Sequence, residues 1–124
     1  MTLAGTNVLL VGQNFHKTQT LTERLHRLKF RCHFAGNARV ASEFVAAYPV
    51  DLVLSNTYLS DGTGYRMLLD LTCVPVSAFL CFPVENSCLW LPALDDGKRC
   101  LGLPALRPSE FAKALERMAL RLPA

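Results

Sequence analysis

Hydrophobic positions along this chain switch repeatedly between two periods. Asn7 to Gly12 reads N-V-L-L-V-G, the short apolar run expected of a strand buried on both faces. From Phe15 to Lys29 the period becomes helical, with Leu21, Leu25 and Leu28 at spacings of four and three and Thr18 on the same face. Asn14 stands where an N-cap belongs. Phe30 to Ala35 alternates as a half-buried strand does, and Gly36-Asn37 forms a turn and cap. Ala38 to Tyr48 is helical, with Val40, Phe44 and Ala47 on its inner side and Pro49 as its stop. Val50 to Ser55 is again almost continuously apolar and breaks into the polar, glycine-containing stretch Asn56 to Gly64. Tyr65 to Leu71 predicts a short helix burying Tyr65, Leu68, Leu69 and Leu71, and Pro75 opens a strand over Val76 to Phe82.

After Phe82 the alternation of strands and amphipathic helices fails. Pro92 would damage a helix interior, and Asp96-Gly97 lies between two apolar runs, a strong hairpin signal because both turn positions need positive φ. The pattern predicts a β-hairpin. Its first arm, Leu89 to Leu94, is an antiparallel edge strand in place of a fourth helix. Its second arm, Arg99 to Leu103, is the fifth parallel strand. The competing reading is an irregular loop or one helical turn before Trp90. Pro108 then opens a last amphipathic helix through Phe111, Leu115, Met118 and Leu122, with Glu110 in its first turn.

Alternation of this kind implies a parallel sheet with right-handed crossovers and helices on both faces, an α/β three-layer sandwich. In such sheets, ligands and chemistry collect outside the C-terminal strand ends. Here those ends carry Gln13, Asn14 and Asn56.

Composition narrows this picture only a little. The 124 residues are 51% hydrophobic and 19% charged, which argues against disorder and for one domain over residues 1–124, its core spanning about residues 7–122. The net charge of +3 comes from scattered Lys and Arg, so no nucleic-acid footprint is expected. The cluster from Arg24 to Arg31 reads as the solvated end of a helix. No apolar run approaches the roughly 20 residues of a membrane span, and Met1 to Thr6 lacks the pattern of a signal peptide. The five cysteines (Cys32, Cys73, Cys81, Cys88, Cys100) are odd in number and lack C-x-x-C spacing; buried thiols in a reducing cytoplasm explain them better than disulfides or zinc.

The stretch D-L-V-L-S-N-T-Y-L-S-D-G-T-G, Asp51 to Gly64, resembles the third strand and following loop of receiver domains in two-component response regulators, where the strand ends on an aspartate that accepts a phosphoryl group. The resemblance runs over roughly residues 7–118 and implies the flavodoxin-like strand order 2-1-3-4-5. It also implies where a phosphorylation site would stand, and each position has departed from the family. The acidic pair that holds Mg²⁺ is Gln13 and Asn14; neutral amides are poor substitutes for hard carboxylates. The acceptor is Asn56, whose amide cannot form an acyl phosphate. The strand-four hydroxyl, counted from Pro75, is Leu80, and the strand-five lysine is Leu103, followed by Pro104 with an expected cis bond. The resemblance therefore implies a phosphorylation-incompetent pseudo-receiver: not an enzyme, with no cofactor and no Mg²⁺, working through a protein partner or as a homodimer. The alternative is a small-molecule-binding domain using the emptied pocket.

Other constellations carry less. His16, His26 and His33 lack ligand-spaced partners, Asp61 reads as a turn residue, and Gly62-x-Gly64 is not a dinucleotide fingerprint. Leu89, Trp90 and Leu91 on the predicted edge arm form a candidate interaction surface; the opposing reading has Trp90 folded over the core.

Overall fold

The computed structural model describes residues 6–13, 19–73, 75–84, 87–100 and 103–121. In chain order its elements are β1 (Thr6–Val11), α1 (Gln19–Arg27), β2 (Phe30–Ala35), α2 (Ala38–Ala47), β3 (Leu52–Asn56), β4 (Tyr58–Leu59), β5 (Gly62–Thr63), α3 (Gly64–Asp70), β6 (Ser77–Val84), β7 (Ser87–Asp95), β8 (Lys98–Arg99) and α4 (Pro108–Arg121). The architecture is mixed α/β. β1, β2, β3 and β6 pair in parallel, and the full sheet runs β2-β1-β3-β6-β7-β8.

The apolar runs become central strands because both faces of the sheet are covered. Val8, Leu10, Leu52 and Leu54 pack to one side with Leu25 of α1 and with Phe111, Leu115 and Met118 of α4. The alternate residues Leu9, Val11 and Val53 pack to the other side with Ala41 and Val45 of α2 and Met67 and Leu68 of α3. Two faces of apolar surface, each contributing roughly 25 cal/mol per Å² removed from water, hold the layers together. α2 is capped as its sequence predicts: the Asn37 side chain accepts the Val40 N–H at 2.9 Å. Its inner face, however, centres on Ala41 and Val45, with Val40 and Phe44 at the margin and Ala47 exposed. In α3, Tyr65 is exposed and Met67 takes the buried place. The predicted cap Asn14 and the first helical residues after it lie outside the described residues.

The hairpin region departs from the expected topology. β7 is antiparallel, but it is not an edge strand. It pairs directly with β6 from Ala78↔Leu94 to Val84↔Ser87 and so occupies the place expected of a fifth parallel strand. Of the predicted second arm, Arg99 to Leu103, Arg99 lies in the two-residue β8 against Leu94 and Asp95, and residues 101–102 lie outside the described residues; an isolated bridge between Leu106 and Trp90 comes after it. Loop closure explains the exchange. Only residues 85–86 separate β6 from β7, so these strands meet at little entropic cost, and later chain can reach only the outer side of β7. Asp96 (φ 54°) and Gly97 (φ 77°) make the predicted turn between β7 and β8. Pro92 is accommodated by a register shift: Ala78 faces Leu94 and Phe79 faces Pro92, leaving Ala93 as the extra residue of a bulge. No described peptide bond is cis, so Leu103–Pro104 is trans. No described helix is long and apolar enough to cross a membrane.

Candidate functional site

The C-terminal rim of the parallel strands is built by the ends of β1, β3 and β6. Gly12 follows β1 with φ 135°, a backbone conformation that glycine adopts at no steric cost, and its N–H donates to the Ala35 carbonyl at 2.8 Å. The glycine has a second reason to be there. The Asn56 carboxamide lies directly over it, so any side chain at residue 12 would overlap the Asn56 amide. Gly64, the first residue of α3, is as closely confined: an added Cβ would come within 2.5 Å of the Asn56 carbonyl oxygen, 2.7 Å of Ser55 Oγ and 2.8 Å of a Leu80 methyl. Two glycines thus close the rim around the end of β3.

Several polar groups here are already engaged. Ser55, fully buried, donates its hydroxyl to the Asn56 carbonyl at 2.9 Å. Thr57 donates both its hydroxyl (2.8 Å) and its N–H (3.1 Å) to the Cys81 carbonyl. Gln13 is exposed. The Asp61 carboxylate accepts the N–H groups of Ala38 (2.9 Å) and Arg39 (3.0 Å) at the start of α2. These two bonds, the Ala38 one foremost, hold its carboxyl below the usual carboxylate range. Asp61 is therefore a helix cap supplied from another loop, a role the sequence reading as a turn residue did not include.

The sequence-predicted positions separate into two groups. Gln13 and Asn56 both stand at the rim, while Asn14 lies outside the described residues. Leu80 is buried and packs with the α2–α3 side, opposite Ser55; the residue facing Asn56 is Cys81. Leu103 does not reach the rim. It is half exposed and lines a groove of about 270 Å³ with Phe79, Leu94, Met118 and Arg117, below the rim and against α4. Instead the sheet register aligns Asn56, Cys81, Trp90 and Leu106 in one row. Leu106 is thus the residue that the far side of the sheet brings to this level.

Trp90 is not an exposed anchor. It is 4% accessible and stacks on Phe111 at 4.1 Å with a 10° interplanar angle, while Phe79 meets Phe111 edge-on at 5.2 Å. Leu89 and Leu91 are only partly buried and remain the accessible members of that predicted surface. Cys81 and Cys100 are not on neighbouring strands, since β7 runs between them. The nearer thiol is Cys88, diagonal to Cys81 across the β6–β7 pair. Burial, reinforced by Cys88, pushes the Cys81 thiol up to about 12, so it stays protonated and is a poor nucleophile.

Mg²⁺ does not fit this donor set. A divalent ion of that hardness needs carboxylate oxygens, whereas the described rim side chains are amides, hydroxyls, a thiol and a leucine, and the loop carboxylate is bound to α2. Among the described residues, no three His, Cys, Asp or Glu side chains converge as a metal site would require.

No protein-family model and no curated protein matches this chain. Among solved structures, the chain is similar to the crystal structure of the signal receiver domain of an HD domain-containing protein from Pseudomonas fluorescens Pf-5. Identity is 31% over 55% of this chain and 50% of that one, with a TM-score of 0.48. The match thus spans half the length of that structure.

Proposed function

We propose that this chain is a receiver-like signalling module that takes no phosphoryl group at its rim and acts through contacts with other proteins. The observation that carries the reading is the seating of the Asn56 carboxamide on Gly12, at the end of the central strand β3. In a receiver domain that place belongs to a carboxylate open to its phosphoryl donor. Here an amide fills it, its lone pair delocalised into the carbonyl, and among the described residues no cluster of carboxylates gathers beside it to hold a cation. The parallel order β2-β1-β3-β6 and the resemblance of Asp51 to Gly64 support the receiver-like part of the reading. The packing of Gly64 against Ser55 and Leu80 favours an interaction module over a rim pocket for a small ligand, because the space is occupied by the chain itself.

The test is incubation of the full chain with Mg²⁺ and acetyl phosphate, followed by intact mass spectrometry. The mass is expected to stay unchanged at neutral pH. A stable gain of one phosphoryl group, mapped to any rim residue, would overturn the proposal.

A further inference from the structure

We propose that the outer edge of β2 takes an acidic, extended segment of a partner protein as an added strand. This rests on the reading of the chain as an interaction module and names the surface and the chemistry of its partner. β2 ends the sheet, pairing with β1 on one side and with no described strand on the other. Ala35 gives its carbonyl to Gly12, so by the two-residue alternation of a strand the backbone groups of Phe34 and Cys32 point away from β1. They form the row of donors and acceptors that an incoming strand completes.

The side chains around that row select the partner. Arg27, Lys29 and Arg31 are all exposed, at the end of α1, in the connection and within β2. The ion pairs among the described residues join Arg39 to Glu43 and Arg66 to Asp70, and neither draws on these cations. Uncompensated positive charge along an open edge disfavours a second copy of the same strand, since pairing β2 with itself would double the positive charge gathered there. The same charge attracts a strand carrying carboxylates. At the C-terminal end of the edge, Phe34 is 49% exposed and offers an apolar contact to the residue that follows those acids.

The probe is a peptide of alternating glutamate and valine, as long as the six residues of β2, titrated into the isotope-labelled full chain. Amide shifts are expected in Phe30–Ala35, with binding weakened about tenfold by the double variant Lys29→Glu/Arg31→Glu, since exposed ion pairs are individually weak but change sign together. Raising the salt should weaken it similarly. Phe34→Pro removes an outward N–H without touching the β1 ladder, and it should abolish the shifts while the rest of the amide spectrum stays folded. Equal binding of a lysine–valine or glutamine–valine peptide would overturn the proposal, as would tighter binding of duplex DNA to the same cations, or no shifts in β2 at all. The outcome is separable from that of the rim. A phosphoryl adduct would remove the reading of Asn56 and leave these shifts in place, whereas absent shifts would remove the edge and leave the rim unlabelled.

Discussion

Asp61 shows how one residue can read as a turn in sequence and cap a distant helix in space. It sits in the loop after β3, yet its two oxygens accept from the first amides of α2, 23 and 22 residues earlier in the chain. With Asn37 accepting from Val40, two side chains cap the first three N–H groups of that helix. Those bonds favour the ionised form, so the folded pKa lies below the unfolded one. The stabilisation is therefore fully present above the unfolded value, about 4, and is lost as pH falls through the folded value. Asp61→Ala should lower the melting temperature at neutral pH, and the gap to the parent chain should narrow over the range from neutral pH to below the unfolded value of about 4. Thermal melts across that range decide it; a gap that persists unchanged in acid would mean that the charge is not what caps α2. The chemistry of the rim was legible from residue identity alone, because Asn56 and Gln13 are amides wherever they point. The capping role of Asp61 was not, because no local pattern links a loop to a helix on the other side of a strand.

At the scale of elements, the turn between β7 and β8 was readable because its geometry is local: Asp96-Gly97 meets the need for positive φ at both positions. The place of β7 in the sheet was not, because pairing order depends on which strands meet first, and hydrophobic pattern does not encode that. The short link from β6 gives β7 the inner position, and this in turn decides the fate of Trp90. An edge arm could have presented the indole to a partner. An inner strand facing α4 buries it against Phe111, and Leu103 is displaced from the rim to the groove below. Trp90 accordingly belongs to stability. Trp90→Ala should cost about 3–5 kcal/mol, the usual range for emptying a large aromatic site in a core. Urea unfolding followed by far-UV circular dichroism measures it, and a loss below about 1 kcal/mol, the scale of an ordinary surface substitution, would show that the stack on Phe111 contributes little.

For the whole molecule, the question is whether two cores behave as one. The cluster holding Trp90, Phe111 and Leu115 and the cluster holding Leu9, Val53 and Met67 share no side chain, since the sheet separates them. They do share backbone: β1, β3 and β6 each send alternate residues to both sides, so releasing one face frees strands that the other needs. Cooperative unfolding follows from that geometry. The chain's single tryptophan lies in the first core and reports on it alone. Leu9 is fully buried in the second, and Leu9→Ala should destabilise by about 2–5 kcal/mol. If the sheet couples the layers, Trp90 fluorescence will shift its urea midpoint by the same amount as circular dichroism, although the deleted atoms lie across the sheet from the indole. A fluorescence midpoint left at the parent value, with only the dichroism displaced, would mean that the α1–α4 layer stands without its counterpart.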